Sequence, residues 1–136
     1  GATEEQLQSL NQFAHELGMA FQLSDDFLDL YGEEADLKKE LGQDFIQGQL
    51  TLPMIYVLES LPKEKSDIVM QSIKEKSYNG FTILKKGVEN KEAQEKIMGV
   101  LKNYTRRSMD ALSVFDKVKS VEALKSLSEI VASRVL

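Results

Sequence analysis

The stretch Phe21-Gln22-Leu23-Ser24-Asp25-Asp26-Phe27-Leu28-Asp29 decides how the rest of the chain is read. If it is helical, Asp25 and Asp29 stand at i and i+4, Gln22 lies three residues before Asp25, and Gly18 lies four before Gln22, so these four positions share one face. Leu23, Phe27 and Leu30 occupy the opposite side. Asp26 sits about 100° around the helix from Asp25 and reaches the same place only from its flank.

Outward from this stretch, the pattern remains helical. Thr3, followed by Glu4 and Glu5, reads as an N-cap with carboxylates at the positive end of a helix dipole. Apolar residues recur at Leu7, Leu10, Phe13, Ala14 and Leu17 and continue through Ala20 to Leu30, which predicts one helix from the start to about Tyr31, stopped at Gly32. Residues 33–49 read as a charged connection holding Gly42 and Gly48, with a short helix around Ala35 to Leu41. Thr51 is placed to cap a helix carrying Pro53 in its first turn and ending at Pro62. Further helices are expected at about Lys63 to Lys76, Gly80 to Lys86, Lys91 to Phe115 and Val121 to Val135, as scaffold. Arg106 and Arg107 read as solvated, and His15 and the five methionines need no role beyond packing or surface.

The whole chain has 136 residues, with two prolines, eight glycines and no tryptophan, which fits a single all-α domain, a helical bundle. A formal net charge of −5 argues against a nucleic-acid binder, which needs a basic face. Any phosphate-bearing ligand must therefore find positive charge locally. With no cysteine the chain can form neither a disulfide framework nor a thiolate metal site, which suits a cytoplasmic protein. No apolar run approaches the length of a membrane span, and the start at Gly1 is neither a signal nor a transit peptide.

Two ionised carboxylates about 6 Å apart repel by roughly 0.7 kcal/mol in water and about 3 kcal/mol in a partly closed cleft. A shared cation removes that cost. Oxygen-only ligands without His or Cys suit Mg²⁺, which keeps several waters and takes phosphate oxygens as further ligands. The competing reading is an acidic surface helix, a common feature. Phe27, Leu28, Leu30 and Tyr31 are the flanks of a half-buried helix, where a carboxylate pair without a cation is a poor structural choice.

Read with its neighbours, the stretch resembles the second aspartate-rich motif of the trans-isoprenyl diphosphate (polyprenyl) synthases, G-x-x-F-Q-x-x-D-D-x-x-D. Gly18, Phe21, Gln22, Asp25, Asp26 and Asp29 match it. The K-x-x-G-x-D that follows in the family is matched by Lys39, Gly42 and Asp44, and G-x-x-T-L-P by Gly48, Thr51, Leu52 and Pro53. Many members have Lys where this chain has Gln49, so Gln49 is assigned no phosphate contact. The motifs cover residues 18–53; beyond them the match is in length and helical character, with Arg134 near a position where many members carry a basic residue.

The resemblance implies the C-terminal part of the isoprenoid synthase fold and a prenyltransferase that condenses isopentenyl diphosphate with an allylic prenyl diphosphate. By that resemblance Asp25 and Asp29 hold one Mg²⁺ with Asp26 in support, and Lys39 contacts the allylic diphosphate. Gln22 turns its amide oxygen to the carbocation, Phe21 lines the isoprenoid cavity, and Asp44 steadies a metal-bound water or the Lys39 loop. The full-length enzyme is expected to be a homodimer.

The family's first D-D-x-x-D motif has no counterpart in these 136 residues. The chain therefore reads as a C-terminal piece, inactive alone, a reading that the start at Gly1-Ala2 without an initiator Met favours. A partial reading of a longer gene and a genuine short protein working with a partner are the competing origins. The alternatives in function are a non-catalytic helical subunit of a heteromeric synthase, and a terpene cyclase, whose usual mixed Asn, Ser and Glu metal motif is not visible here.

Overall fold

The computed structural model describes residues 1–32, 40–116 and 119–135. All regular structure among them is helical: α1 (Glu4–Tyr31), α2 (Gln43–Gln47), α3 (Leu52–Ser60), α4 (Lys63–Lys74), α5 (Phe81–Gly87), α6 (Lys91–Ala111) and α7 (Lys119–Ser133), with 3₁₀ turns at Tyr78–Gly80 and Leu112–Val114. The all-α class expected from the sequence is thus observed. No helix among the described residues is long and apolar enough to cross a membrane.

The long first helix forms for the reasons its sequence suggests. The Gln6 N–H donates to Thr3 Oγ1 at 3.2 Å and the Thr3 N–H to Gln6 Oε1 at 2.9 Å, a reciprocal capping box that satisfies two donors at the helix start. Leu23, Phe27 and Leu30 are all buried. Asn90 similarly caps α6, its Oδ1 accepting the Ala93 N–H at 3.0 Å.

Residues 33–39 lie outside the described residues, and with them most of the short helix expected at Ala35 to Leu41. The helix found in the connection is α2, further along. It has five residues, with Gly42 and Gly48 in the left-handed region at its two ends (φ 74° and 78°), too short to show an apolar period. Thr51 takes the N-cap position of α3 with an extended backbone, but its side chain makes no capping bond. Its hydroxyl is buried without a hydrogen-bond partner among the described residues. Pro53, second in the helix, lacks one of the two N–H groups that a cap hydroxyl uses.

The chain divides into two compact units, Gly1–Ser24 with Gly99–Leu136, and Asp25–Met98. In the first, Phe13, Ala111, Leu112 and Val121 form the core, flanked by Leu10, Leu17 and Leu124. Ser108 and Ser128, both fully buried, join α6 to α7 by a 2.7 Å hydroxyl–hydroxyl bond, and the Ser9 hydroxyl donates to the Ala111 carbonyl. Arg107 is exposed, as read, but it also pairs at 3.0 Å with the largely buried Glu16 and lies over the Tyr104 ring. Its carboxylate partner is 91 positions away in sequence, beyond the reach of a local reading.

In the second unit Leu30, Phe45, Met54, Val57, Val69, Ile73 and Leu84 make the core, so that α2 to α5 support the last turns of α1. Tyr31 packs there, stacked on Phe27 at 4.3 Å between ring centroids. Its hydroxyl has no hydrogen-bond partner among the described residues. Burial pushes its pKa from 10.0 to about 12. Above pH 10 the unfolded chain releases this proton while the folded one keeps it, so Tyr31 makes stability fall from about pH 10 to about 12. Urea unfolding across that range should show a shallower alkaline loss in Tyr31→Phe, with little change at neutral pH because no hydrogen bond is removed.

Candidate functional site

All of the aspartate motif lies on α1, but the helix environment changes along it. Phe21 and Gln22 are exposed, Asp25 and Asp26 are half-buried, and Asp29 is 4% exposed. Helical spacing puts Asp25 and Asp29 on one face; what separates them is the covering of that face by residues 42–44. The Gln43 N–H donates to Asp29 Oδ1 at 3.2 Å and the Asp44 N–H to Oδ2 at 3.1 Å. The Gly42 N–H donates to the Asp29 main-chain carbonyl at 3.0 Å.

The structure therefore brings the D-D-x-x-D and K-x-x-G-x-D motifs together, through Asp29 and the backbone of Gly42 to Asp44. Lys39 lies outside the described residues. No three Asp, Glu, His or Cys side chains among the described residues converge as a metal cluster. Asp25 and Asp26 keep the exposure that a partly hydrated Mg²⁺ requires, so the donor set fits an ion held by one or two carboxylates and completed by phosphate and water. Asp44, half-buried in the first turn of α2, is tied to the same helix by its N–H on Asp29.

Lys85 is a contributor that the sequence reading missed. Its Nζ donates to the Leu30 carbonyl at 2.8 Å, closing the C-terminal end of α1 from helix α5. That end has no basic residue of its own in the last turn and carries Asp29 at the negative pole of the helix dipole, where a cation is favourable. The absence of such a residue was the available signal; which lysine would supply it depends on tertiary packing.

Within the first unit, the Arg134 guanidinium lies 4.8 Å from the Phe21 ring centroid. Its Nη1 donates to Ser24 Oγ at 3.0 Å, and the Ser24 hydroxyl donates to the Phe21 carbonyl at 2.8 Å. Phe21 and Arg134 close one end of an apolar groove of about 520 Å³ between α1 and α7, lined also by Phe13, Leu17, Gly18, Leu127 and Ile130. A Cβ added at Gly18 would meet nothing within 4 Å, so the first glycine of the motif is not demanded by packing among the described residues.

Among the described residues all regular structure is helical, and the long first helix ends in an aspartate bound to a glycine-bounded short helix; comparison with known proteins gives the family. The polyprenyl synthetase family signature matches residues 1–90, and the chain belongs to that family. Component 2 of the heptaprenyl diphosphate synthase of Bacillus subtilis is 26% identical over 134 residues, covering 98% of this chain and 38% of that protein. The corresponding component from Geobacillus stearothermophilus is 47% identical over 58 residues, 43% of this chain and 18% of its own length. Among solved structures, the polyprenyl synthase of Caulobacter crescentus CB15, complexed with calcium and isoprenyl diphosphate, superposes with a TM-score of 0.86 at 25% identity, over 100% of this chain and 42% of that one. The geranylgeranyl pyrophosphate synthase of Corynebacterium glutamicum shares the fold, with a TM-score of 0.80 at 22% identity, over 98% of this chain and 39% of its own. The chain thus spans less than half the length of the relatives it matches.

The glycine of K-x-x-G-x-D has a clear physical requirement. Gly42 sits at φ 74°, and a Cβ there would lie 2.5 Å from the Phe81 ring, which packs in turn on Phe45 and Tyr78. Gly42→Ala combines left-handed strain with overpacking, each costing about 1–3 kcal/mol. Chemical denaturation should find the variant about 2–6 kcal/mol less stable than the parent chain.

Proposed function

We propose that the chain is the C-terminal portion of a trans-prenyltransferase that joins isopentenyl diphosphate to an allylic prenyl diphosphate, with Mg²⁺ as cofactor. The observation that carries the proposal is the pairing of half-exposed Asp25 and Asp26 with a loop bound to the same helix through Asp29. Bound Mg²⁺ would neutralise the charge that develops on the departing diphosphate.

In this reading Asp25 is the chief metal-holding carboxylate, Asp26 supports it, and Asp29 works from behind them. Lys39, three residues before Gly42, brings the positive charge for the diphosphate that an acidic chain otherwise lacks. Gln22, one turn before Asp25 and Asp26, offers its amide oxygen to the cationic centre, and Phe21 presents its ring to the isoprenoid chain. Asp44 orients the Lys39 loop or a metal-bound water. Both compact units belong to one catalytic portion, and the full-length enzyme works as a homodimer in the cytoplasm.

A second reading has support of its own, since two of the relatives are named as component 2 of heptaprenyl diphosphate synthases. The chain would then act beside a different polypeptide.

Calorimetry with Mg²⁺ and inorganic pyrophosphate tests the site. Binding by the 136-residue chain should be lost in Asp25→Ala and weakened in Lys39→Ala; indifference to both changes would leave a helical scaffold without a metal site. The chain alone should not convert isopentenyl and allylic diphosphates to product, and turnover by the pure chain would contradict its being one wall of the site.

A further inference from the structure

We infer that Lys85 is a positioning residue for the carboxylate-bearing end of α1: from α5 it caps an end carbonyl of that helix, and the same face of α5 holds the Gly42 turn beside it. What the held end is for rests on the functional reading above, while the cap itself stands on geometry.

Helix α1 stops at Tyr31, and the last carbonyls of any helix have no donor from a following turn. Here the donors come from beyond the helix. The Leu28 carbonyl accepts the Gly32 N–H at 3.0 Å, the Asp29 carbonyl accepts the Gly42 N–H at 3.0 Å, and the Leu30 carbonyl accepts a hydrogen bond from Lys85 Nζ at 2.8 Å. Of these donors only Lys85 is a side chain, and only it carries charge. Leu30 is fully buried, so water has poor access to its carbonyl once this partner is lost.

The ammonium is held in place by the seating of a seven-residue helix. Phe81, Leu84 and Lys85 stand at i, i+3 and i+4, on one face of α5. Leu84 is fully buried in the core that includes Leu30. The Phe81 ring covers Gly42 so closely that a Cβ there would lie 2.5 Å from it. At the far end of α5 a Cβ on Gly87 would lie 2.5 Å from Val57 Cγ1, so the helix rests hard against α3 with little room to slide. Lys86, the next residue, is exposed and borders a surface pocket with Leu61 and Lys65.

A lysine suits this place because its charge meets the negative pole of the α1 dipole, where the last turn of α1 supplies no cation. Its donor also replaces the N–H that a further turn would have provided. In helical geometry the Leu30 N–H donates to the Asp26 carbonyl, so Leu30 links the cap to the turn that carries Asp25 and Asp26. Without the cap, fraying at Leu30 reaches that link, and the carboxylates lose the fixed geometry on which tight cation binding depends.

Three variants of the chain separate the cap from its charge. Lys85→Met removes donor and charge, Lys85→Arg keeps both, and Lys86→Met removes an equal charge from the exposed neighbour. Without ligand, amide hydrogen exchange at Tyr31 and Gly32 should be about tenfold faster in Lys85→Met than in the parent, and parent-like in the other two. Calorimetry with Mg²⁺ and inorganic pyrophosphate should find binding about tenfold weaker in Lys85→Met and within about twofold of the parent in Lys85→Arg and Lys86→Met. Parent-like exchange in Lys85→Met, or equal weakening of binding in Lys85→Met and Lys86→Met, would overturn the inference. Faster exchange with unchanged pyrophosphate binding would make Lys85 a structural cap alone and overturn it as well. Should Lys85→Met fail to fold, the parent decides: NMR coupling across the hydrogen bond between Lys85 Nζ and the Leu30 carbonyl carbon is expected, and its absence would overturn the inference. No pyrophosphate binding by the parent, with exchange still faster in Lys85→Met, would sink the functional reading and leave the cap standing.

Discussion

The contact between the Asp29 carboxylate and the amides of Gln43 and Asp44 organises the second unit of this chain. It joins the end of a 28-residue helix to a five-residue helix that cannot cap itself. Gly42 is held at a positive φ under the Phe81 ring, and Phe81 packs on Phe45, a fully buried residue of α2. Leu30, Phe45 and Leu84 then share one apolar core, and Lys85 reaches from α5 to the carbonyl of Leu30. Polar and apolar contacts thus converge on the last turn of α1, just beyond the half-buried Asp25 and Asp26.

This arrangement bears on how an acidic chain can serve an anionic ligand. With a net charge of −5 it has no surplus of positive charge to attract phosphate. Asp29 has its charge offset by backbone dipoles, and the negative pole of α1 meets the Lys85 ammonium. Both effects lower the negative field around Asp25 and Asp26, and under the proposed function this would favour a cation-bridged diphosphate over an unscreened cluster of three carboxylates.

Much of the fold was legible in the sequence because α1, α4, α6 and α7 are long enough to show an apolar period. Thr3 with Gln6 and Asn90 with Ala93 are local signals, and they act locally in the structure. What escaped notice is non-local or short. Helix α2 is about one turn long and is marked only by its two glycines. Periodicity placed Asp25 and Asp29 on one face, as it should, but could not reveal that residues 42–44 cover only the second. Lys85 on Leu30 and Arg107 on Glu16 join residues 55 and 91 positions apart, distances at which no spacing rule operates. The candidate site was thus readable as a motif, whereas which of its aspartates the backbone of residues 42–44 covers required the fold.

The account turns on where a metal ion settles along α1. Crystals of the chain grown with Mn²⁺ and pyrophosphate, measured for anomalous scattering, would place the ion directly. The predicted result is a peak beside Asp25, with the Asp29 carboxylate still accepting the Gln43 and Asp44 amides. A peak coordinated by Asp29 with those amides released, or no ion along α1 at all, would contradict it.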